Sequence, residues 1–561
     1  MGIINNLARR RFLQKTLTGA VVAAVPQWLF ANTGVKNTAA TPNFNPDVEL
    51  EFSAQQAKVA ILSKGPATPV QKYYGSVLRG PENTLIQLAD NYLGPILNLQ
   101  KGQKVRVYFT NRLNEPNIIH WHGLHVPQFA DGHPMYTIQP GERYIYEFEV
   151  KNRAGISFYH SHAHDLTAEQ VYRGLAGLIL VTDQEESKLE LPSAEYDLPL
   201  VLQDRRFNSE NQLQYLHAMP ERILGFLGDT ILVNGKPNAE FSVKSRAYRF
   251  RTVNGSNSRI YKLGWEDGTP LIAIGSDAGL LPHPEFKPYI MLAPGERVDL
   301  WLDFSGRKIG DKLVMYSLPF SGVMPHMYEM MTRHQGGMGQ GGMGMMHQAL
   351  PQGSKYPIAT FKVTAKQNDS PKLPEKLVAF QRLTQNHSDN PYTPIPISIS
   401  MKHMKPTLNG MSFAMDRVMD FERVALGSIK KIKLYHEHGK QTEHQSMGMM
   451  SGRHSEQGSA EGGPHNMMAG MAGMMQMAHP IHFHGQQFQV ISRNTQSVNA
   501  ANYETIKHGL IDSGWKDTVL VMPGEEVEII KPFQDYKGLF LYHCHNLEHE
   551  DLGMMRQFLI E

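Results

Sequence analysis

Short stretches of alternating polar and apolar residues, broken by Gly- and Pro-containing turns, run along most of this chain. Val105-Arg-Val-Tyr-Phe109 and Tyr144-Ile-Tyr-Glu-Phe-Glu-Val150 have a period of two, the signature of a half-buried strand. Gly174-Leu-Ala-Gly-Leu-Ile-Leu-Val-Thr-Asp183 is a continuous apolar run that predicts a buried closing strand. These elements predict a first β-sandwich over about 46–185. A second, expected over 195–365, opens near Leu198-Pro-Leu-Val-Leu202 and ends near Phe361-Lys-Val363. It contains Tyr248-Arg-Phe-Arg-Thr-Val253 and Pro294-Gly-Glu-Arg-Val-Asp-Leu-Trp-Leu302. After a Lys-, Pro- and Gln-containing linker, a third is expected over 395–561. Pro-Gly-Glu precedes a strand at Pro140, Pro294 and Pro523, once per sandwich, which is an internal repeat.

Composition agrees with an all-β reading: 49 Gly and 34 Pro among 561 residues suit turns better than helix bundles. Lys and Arg (55) nearly cancel Asp and Glu (53), so no electrostatic case exists for a nucleic-acid partner. Arg9-Arg10-Arg11-Phe12-Leu13-Gln14-Lys15 has the twin-arginine form, followed by an apolar run from Leu17 to Ala31. That run contains Gly19 and Pro26 and falls short of the ~20 residues of a membrane span. Residues 1–40 are therefore expected to be an export signal read by the twin-arginine machinery, cleaved between Ala31 and Ala40. The mature protein is expected outside the cytoplasm, most simply in a periplasm, without a membrane anchor.

An exported protein commonly spends cysteines in pairs, yet this chain has only Cys544. Taken alone, it reads equally well as a metal ligand or as a small buried core residue. It is flanked by His543 and His545, and three further histidine groups accompany it: His120-Trp-His122, His160-Ser-His162 and His479-Pro-Ile-His482-Phe-His484. His549 and Met554 follow Cys544. Together these four groups, including the His-Cys-His-x₃-His-x₄-Met spacing, resemble the copper signatures of the multicopper oxidase family.

The spacing has a physical reason. Side chains alternate faces along a strand, so Cys544 points one way and His543 and His545 the other. One strand can then serve two metal sites and join them covalently. Two imidazoles, a thiolate and a weak thioether form the blue-copper electron-transfer set. The resemblance implies a type 1 copper on His479, Cys544, His549 and Met554, and a type 2 copper on His120 and His482. It implies two type 3 coppers on His122, His160, His162, His484, His543 and His545. It also implies three consecutive cupredoxin-like Greek-key sandwiches, the middle one without ligands. The activity implied is one-electron oxidation of a donor coupled to reduction of O₂ to water. Asp131 and Glu550 match acids near the family's trinuclear centre and are the candidate proton donors; a solvated surface charge is the alternative for each.

Two segments depart from sandwich sequence. Residues 324–346 carry eight methionines, and nine more fall between Met447 and Met477 in an insert placed at 436–477. Interleaved glycines and polar neighbours disfavour core packing, and thioethers suit Cu(I). The copper-tolerance branch of the family, whose members oxidise Cu(I), also carries a methionine-rich segment over the type 1 site. Met415 and Asp416 fall where that branch places a substrate copper. The favoured function is a cuprous oxidase; a laccase-like oxidase of phenols or aromatic amines is the alternative. A non-catalytic copper-binding protein is a third reading, disfavoured by the complete ligand set.

Overall fold

The computed structural model describes residues 36–217, 219–325, 328–329, 349–402, 405–436 and 476–561. The first 35 residues and most of both methionine-rich segments lie outside the described residues. The fold is all-β, three cupredoxin-like sandwiches in succession. The first pairs a four-stranded sheet, containing Val48–Val59 and Lys104–Asn111, with a five-stranded sheet containing Gly155–Ser161 and Ala176–Thr182. The second pairs a seven-stranded sheet with a five-stranded one between Asp197 and Ala365, and the third pairs two five-stranded sheets between Ile395 and Ile560.

All three follow one plan. In each, an early strand runs parallel to a later one: Val48–Val59 beside Lys104–Asn111, Asp197–Arg205 beside Ala247–Asn254, Ile395–Lys402 beside Ser428–His436. The opposite sheet of each sandwich holds a second parallel pair, formed by Ile96–Gln100 with Ala176–Thr182, Ala239–Lys244 with Tyr356–Ala365, and Arg423–Val424 with Met555–Ile560. Parallel neighbours need long crossovers rather than hairpins, which is what Greek-key connections supply. Each sandwich closes over its own apolar core, built around Phe52, Trp121 and Tyr146 in the first, Phe250, Trp301 and Phe361 in the second, and Phe483, Tyr542 and Phe558 in the third.

The strand read as half-buried at 144–150, and Ala247–Asn254 in the second sandwich, are covered on both faces. Along Arg143–Glu149 the outward Glu147 is buried, holding Arg106 Nε at 2.6 Å, because residues 37–44 lie over that face; the Thr41 N–H donates to Glu147 Oε1 at 3.1 Å. Ala247–Asn254 is buried throughout because Arg249 and Arg251 are paired with Asp299, Glu186 and Asp197. Paired charges let a polar strand face go under cover.

Candidate metal centre

Strand register assembles the histidines. His120 lies opposite His160 across Ile119–His120 and Gly155–Ser161, and His482 lies opposite His543 across His479–Phe483 and Gly538–Cys544. The first and third sandwiches press these four strands together. The result is a buried group of eight imidazoles, four from each sandwich, every one at most 2% exposed.

Their nitrogens converge in sets. Ligand atoms lie within 4.8 Å of one another in His122, His160 and His545, and again in His162, His484 and His543. His120 Nε2 and His482 Nε2 are 3.4 Å apart. Five rings donate Nδ1–H outward and so aim Nε2 inward: His120 to Asp131 O at 2.6 Å, His160 to Ser161 O at 2.9 Å, His482 to Asp517 O at 2.9 Å, His484 to Asp131 Oδ2 at 2.7 Å and His543 to Cys544 O at 3.1 Å. His122 is turned the other way, with Nε2 3.2 Å from Asp517 Oδ1. Such outward bonds fix tautomer and ring orientation for metal binding. Burial holds His120, His122, His482, His484 and His545 below the usual imidazole range and brings His160 to about 4 and His162 to about 3. Their lone pairs are therefore free of protons. Both ring nitrogens of His545 and Nδ1 of His162 are buried without a hydrogen-bond partner. Unsatisfied buried nitrogens cost stability unless something fills their lone pairs, and clustered neutral imidazoles fit copper.

Three carboxylates ring the cluster. Asp131 is fully buried, its Oδ1 has no partner, and burial raises it well above the carboxylate range, opposed by Lys531. The turn that places it needs Gly132, whose φ is +80° and where a Cβ would meet Ile119 O at 2.2 Å. Glu550 lies on the other side, with Oε2 3.1 Å from His543 Nδ1 and Oε1 3.5 Å from His162 Nε2. Burial would raise it, but His543 and His162 outweigh that and hold it below the usual range. Asp517 is gripped by Arg297 of the second sandwich, Nη1 to Oδ1 at 2.6 Å and Nη2 to Oδ2 at 2.5 Å. Lys531, pulled down to about 7 by burial, donates to His484 O at 3.2 Å and to Gln486 O.

The second group is smaller. Cys544 Sγ lies 3.4 Å from His479 Nδ1 and 3.7 Å from His549 Nδ1. It belongs to the core of the third sandwich, where Met554 is fully buried in the same cluster. Alternation along Gly538–Cys544 thus sends the thiol into that core and His543 into the imidazole cluster. Burial pushes the metal-free thiol up, so a cation must displace its proton. His549 Nε2 donates to Ile223 O at 2.8 Å, closing that ring's outer edge. A buried thiol between two imidazoles fits one copper.

Met415 and Asp416 follow Phe413, whose N–H donates to Gly553 O at 3.0 Å, next to Met554. Met415 O accepts from Gln557 Nε2 at 3.0 Å and Asp416 is exposed; among the described residues no hydrogen bond or ion pair joins either to His479, Cys544 or His549. Asp517, Arg297, Lys531 and His436, whose buried Nε2 has no hydrogen-bond partner, were not singled out from sequence. Only Arg297 had a visible signal there, its place in the Pro-Gly-Glu repeat.

Comparisons with known proteins agree with this geometry. Models of the family described as multicopper oxidase match residues 69–186 and 467–561, the stretches that carry all four histidine groups. The multicopper oxidase mco of Staphylococcus haemolyticus is 29% identical over 84% of this chain and 82% of its own length. A laccase of Bacillus stratosphericus is 29% identical over 82% of this chain and 88% of its own. The crystal structure of McoA multicopper oxidase from Aquifex aeolicus superposes with a TM-score of 0.69 at 29% identity, covering 92% of this chain and 97% of that one.

Proposed function

This chain belongs to the multicopper oxidase family, copper-dependent oxidoreductases with O₂ as acceptor, and from that premise we propose that its physiological donor is Cu(I) and its role copper tolerance. His479, Cys544, His549 and Met554 would hold a type 1 copper. His120 and His482 would hold type 2, and the trios His122–His160–His545 and His162–His484–His543 the type 3 pair. Bound there, copper supplies one-electron uptake at Cys544 and four-electron reduction of O₂ at the imidazole cluster; the balanced reaction takes four Cu(I), one O₂ and four protons to four Cu(II) and two waters.

The chain's own residues support that cycle. Cys544 is bonded through the backbone to His543 and His545, a short covalent path between the two groups. Asp131 holds a proton at the carboxyl whose Oδ1 is unpartnered and can deliver it beside His484. Glu550, held ionised between His162 and His543, can take up a proton on that side of the cluster and pass it along. Asp517, fixed by Arg297, keeps His122 and His482 aimed. The reading includes export by the twin-arginine route to the periplasm, carried by residues 9–31 of the sequence.

The observation that favours Cu(I) is where the two methionine-rich segments attach. The Ala478 N–H donates to Val323 O at 2.9 Å, so the end of one segment is bonded to the start of the other, one residue before His479. Met324 and Met477 share a buried cluster with Met291 and Met522. Soft thioethers therefore cluster within two residues of His479 or of Val521 opposite it, through Met477 and Met522, while the His549 edge is closed by Ile223 O.

The test is O₂ uptake by the copper-loaded enzyme with Cu(I) and with a phenol, repeated on a variant lacking residues 447–475. Fast Cu(I)-driven uptake that falls on deletion, with phenol turnover rising, is the expected result. Strong phenol turnover with negligible Cu(I) turnover in the intact enzyme would make it a laccase.

A further inference from the structure

His436 ends the strand Ser428–His436, and its side chain is buried at 7% exposure. The Val521 backbone lies against its ring. Of its two nitrogens, Nε2 is buried with no hydrogen-bond partner. A neutral imidazole carries a lone pair at one nitrogen, and a buried acceptor left empty costs about 1–3 kcal/mol. The ring is 5.6 Å from the His479 ring, centroid to centroid, at an interplanar angle of 44°. His436 thus stands directly beside His479, whose Nδ1 faces Cys544 Sγ at 3.4 Å.

The surroundings are soft. Val521, whose backbone His436 engages, pairs with His479 across the sheet. The next residue, Met522, is buried in one cluster with Met477, two residues before His479, and with Met324 and Met291. An imidazole lone pair among thioethers is a donor set for a d¹⁰ cuprous ion and a poor one for Mg²⁺ or Ca²⁺. The acids around it are engaged elsewhere: Glu525, which accepts from the Met522 N–H at 2.9 Å, is paired with Arg493 at 3.1 Å, and Asp517 is paired with Arg297.

We propose that His436 Nε2 is a docking ligand for the substrate Cu(I), holding the ion beside His479 with the Met477 thioether as its soft partner. This rests on the cuprous-oxidase reading and gives it a place. The docked ion loses one electron to the centre held by His479, Cys544 and His549 and becomes Cu(II). Cu(II) prefers harder, more numerous donors than one imidazole and a thioether, so oxidation itself loosens the product. No proton moves in this step.

The test uses the copper-loaded full chain and Ag(I), a redox-inert d¹⁰ stand-in for Cu(I). Crystals soaked in Ag(I) are expected to show anomalous density at His436 Nε2. Equilibrium titration should find that site lost in His436→Asn, whose side-chain amide keeps a polar group against the Val521 backbone, and retained in His436→Met. For turnover, His436→Asn should raise KM for Cu(I) at least about tenfold, the scale of losing a metal-positioning group, with a far smaller change in kcat. The visible absorption of the Cys544 copper reports whether each variant is folded and loaded. Silver absent from His436 in the wild type, or bound equally well by His436→Asn, overturns the proposal. Silver at His436 in an enzyme that does not oxidise Cu(I) would instead sink the cuprous-oxidase reading and leave a soft-metal site.

Discussion

Across the seam between the first and third sandwiches, eight imidazoles meet face to face, with direct bonds around them: Gln487 Nε2 to Gly123 O at 2.7 Å, His133 Nε2 to Gln557 Oε1 at 2.9 Å, Lys151 and His125 on Asp535, and the Thr167 and Ala168 N–H groups on Asp551. Between the second and third, no imidazole pairs with another among the described residues, and the contacts are complete in themselves. Arg297 holds Asp517, Lys516 reaches Asp277 and Glu296 at 3.1 Å each, and Glu548 accepts from Tyr215, Asn257, Phe226 and Ser258. One seam lacks its central partners until metal arrives; the other aims the ligands whether or not metal is there. The second sandwich thereby touches both groups: Ile223 O accepts from His549 Nε2 at 2.8 Å, and Gly295, at φ +83°, lets the Pro-Gly-Glu turn lie against the His545 ring, where a Cβ would come within 2.9 Å.

Removing copper should separate the seams most sharply. Metal that binds only the folded state stabilises it by its binding free energy, about 10 kcal/mol for a tight protein site. The copper-free protein is expected to lose amide-exchange protection around 118–122, 158–162 and 480–485, while 254–259 and 546–551 stay protected. Equal loss at both seams would erase the distinction. Next in size, Arg297→Ala leaves Asp517 buried and uncompensated, which costs about 3–5 kcal/mol. Denaturant unfolding should show that loss, and copper analysis a deficit confined to the His122 and His482 positions. An unchanged midpoint would mean the second sandwich aims nothing.

A third expectation concerns acid. Burial brings His133 down to about 4, although its bond to Gln557 opposes the shift. Nδ1 accepts from the Met135 N–H at 3.2 Å, so a second proton has nowhere to go. The folded state binds this proton less readily than the unfolded chain, whose imidazole titrates near 6.5. His133 therefore contributes stability that is full above about pH 6.5 and lost as the pH falls through about 4, on the order of 3 kcal/mol. His133→Gln, compared with the wild type from pH 7 to 4, should flatten that part of the stability curve; parallel curves would show that the first seam does not depend on a neutral His133.

The ten histidines and Cys544 were legible because ligand types are rare and strand alternation dictates their spacing. What surrounds them was not. Pro-Gly-Glu-Arg occurs twice with the same local structure, yet Arg143 is exposed over the Tyr108 ring and Arg297 is buried on Asp517. Only the docking of one sandwich on another separates them, and no local pattern encodes that. Arg249 and Arg251 alternate with apolar residues along their strand, and only acidic partners distant in sequence bring them under cover. Met415 and Asp416 have suitable donors; Met415 O accepts from Gln557 Nε2, and Phe413 is bonded to Gly553 O, a register that only the folded third sandwich defines. His436 carried no signal at all, since a lone histidine ending a strand is ordinarily a packed side chain.

The smallest effect sought here distinguishes the two acids of the first seam. Asp131 and Glu550 both touch cluster imidazoles and both are buried, yet burial raises the first while His543 and His162 lower the second. A group held above the usual carboxylate range keeps a proton to give; one held below it must first collect one. Asp131→Asn preserves the acceptor for His484 Nδ1 and removes only the acidic proton, so ligand geometry should survive. O₂ reduction is expected to slow about a hundredfold, the lower range for losing a positioned acid, with Glu550→Gln slowing it less. Anaerobic reduction of the Cys544 copper needs no proton and should run at the wild-type rate in both. If that reduction slows in step with O₂ uptake, the substitution has disturbed the path between the centres. If Glu550→Gln is the more damaging, the proton arrives on the His162 side and the asymmetry of the two acids runs opposite to their burial.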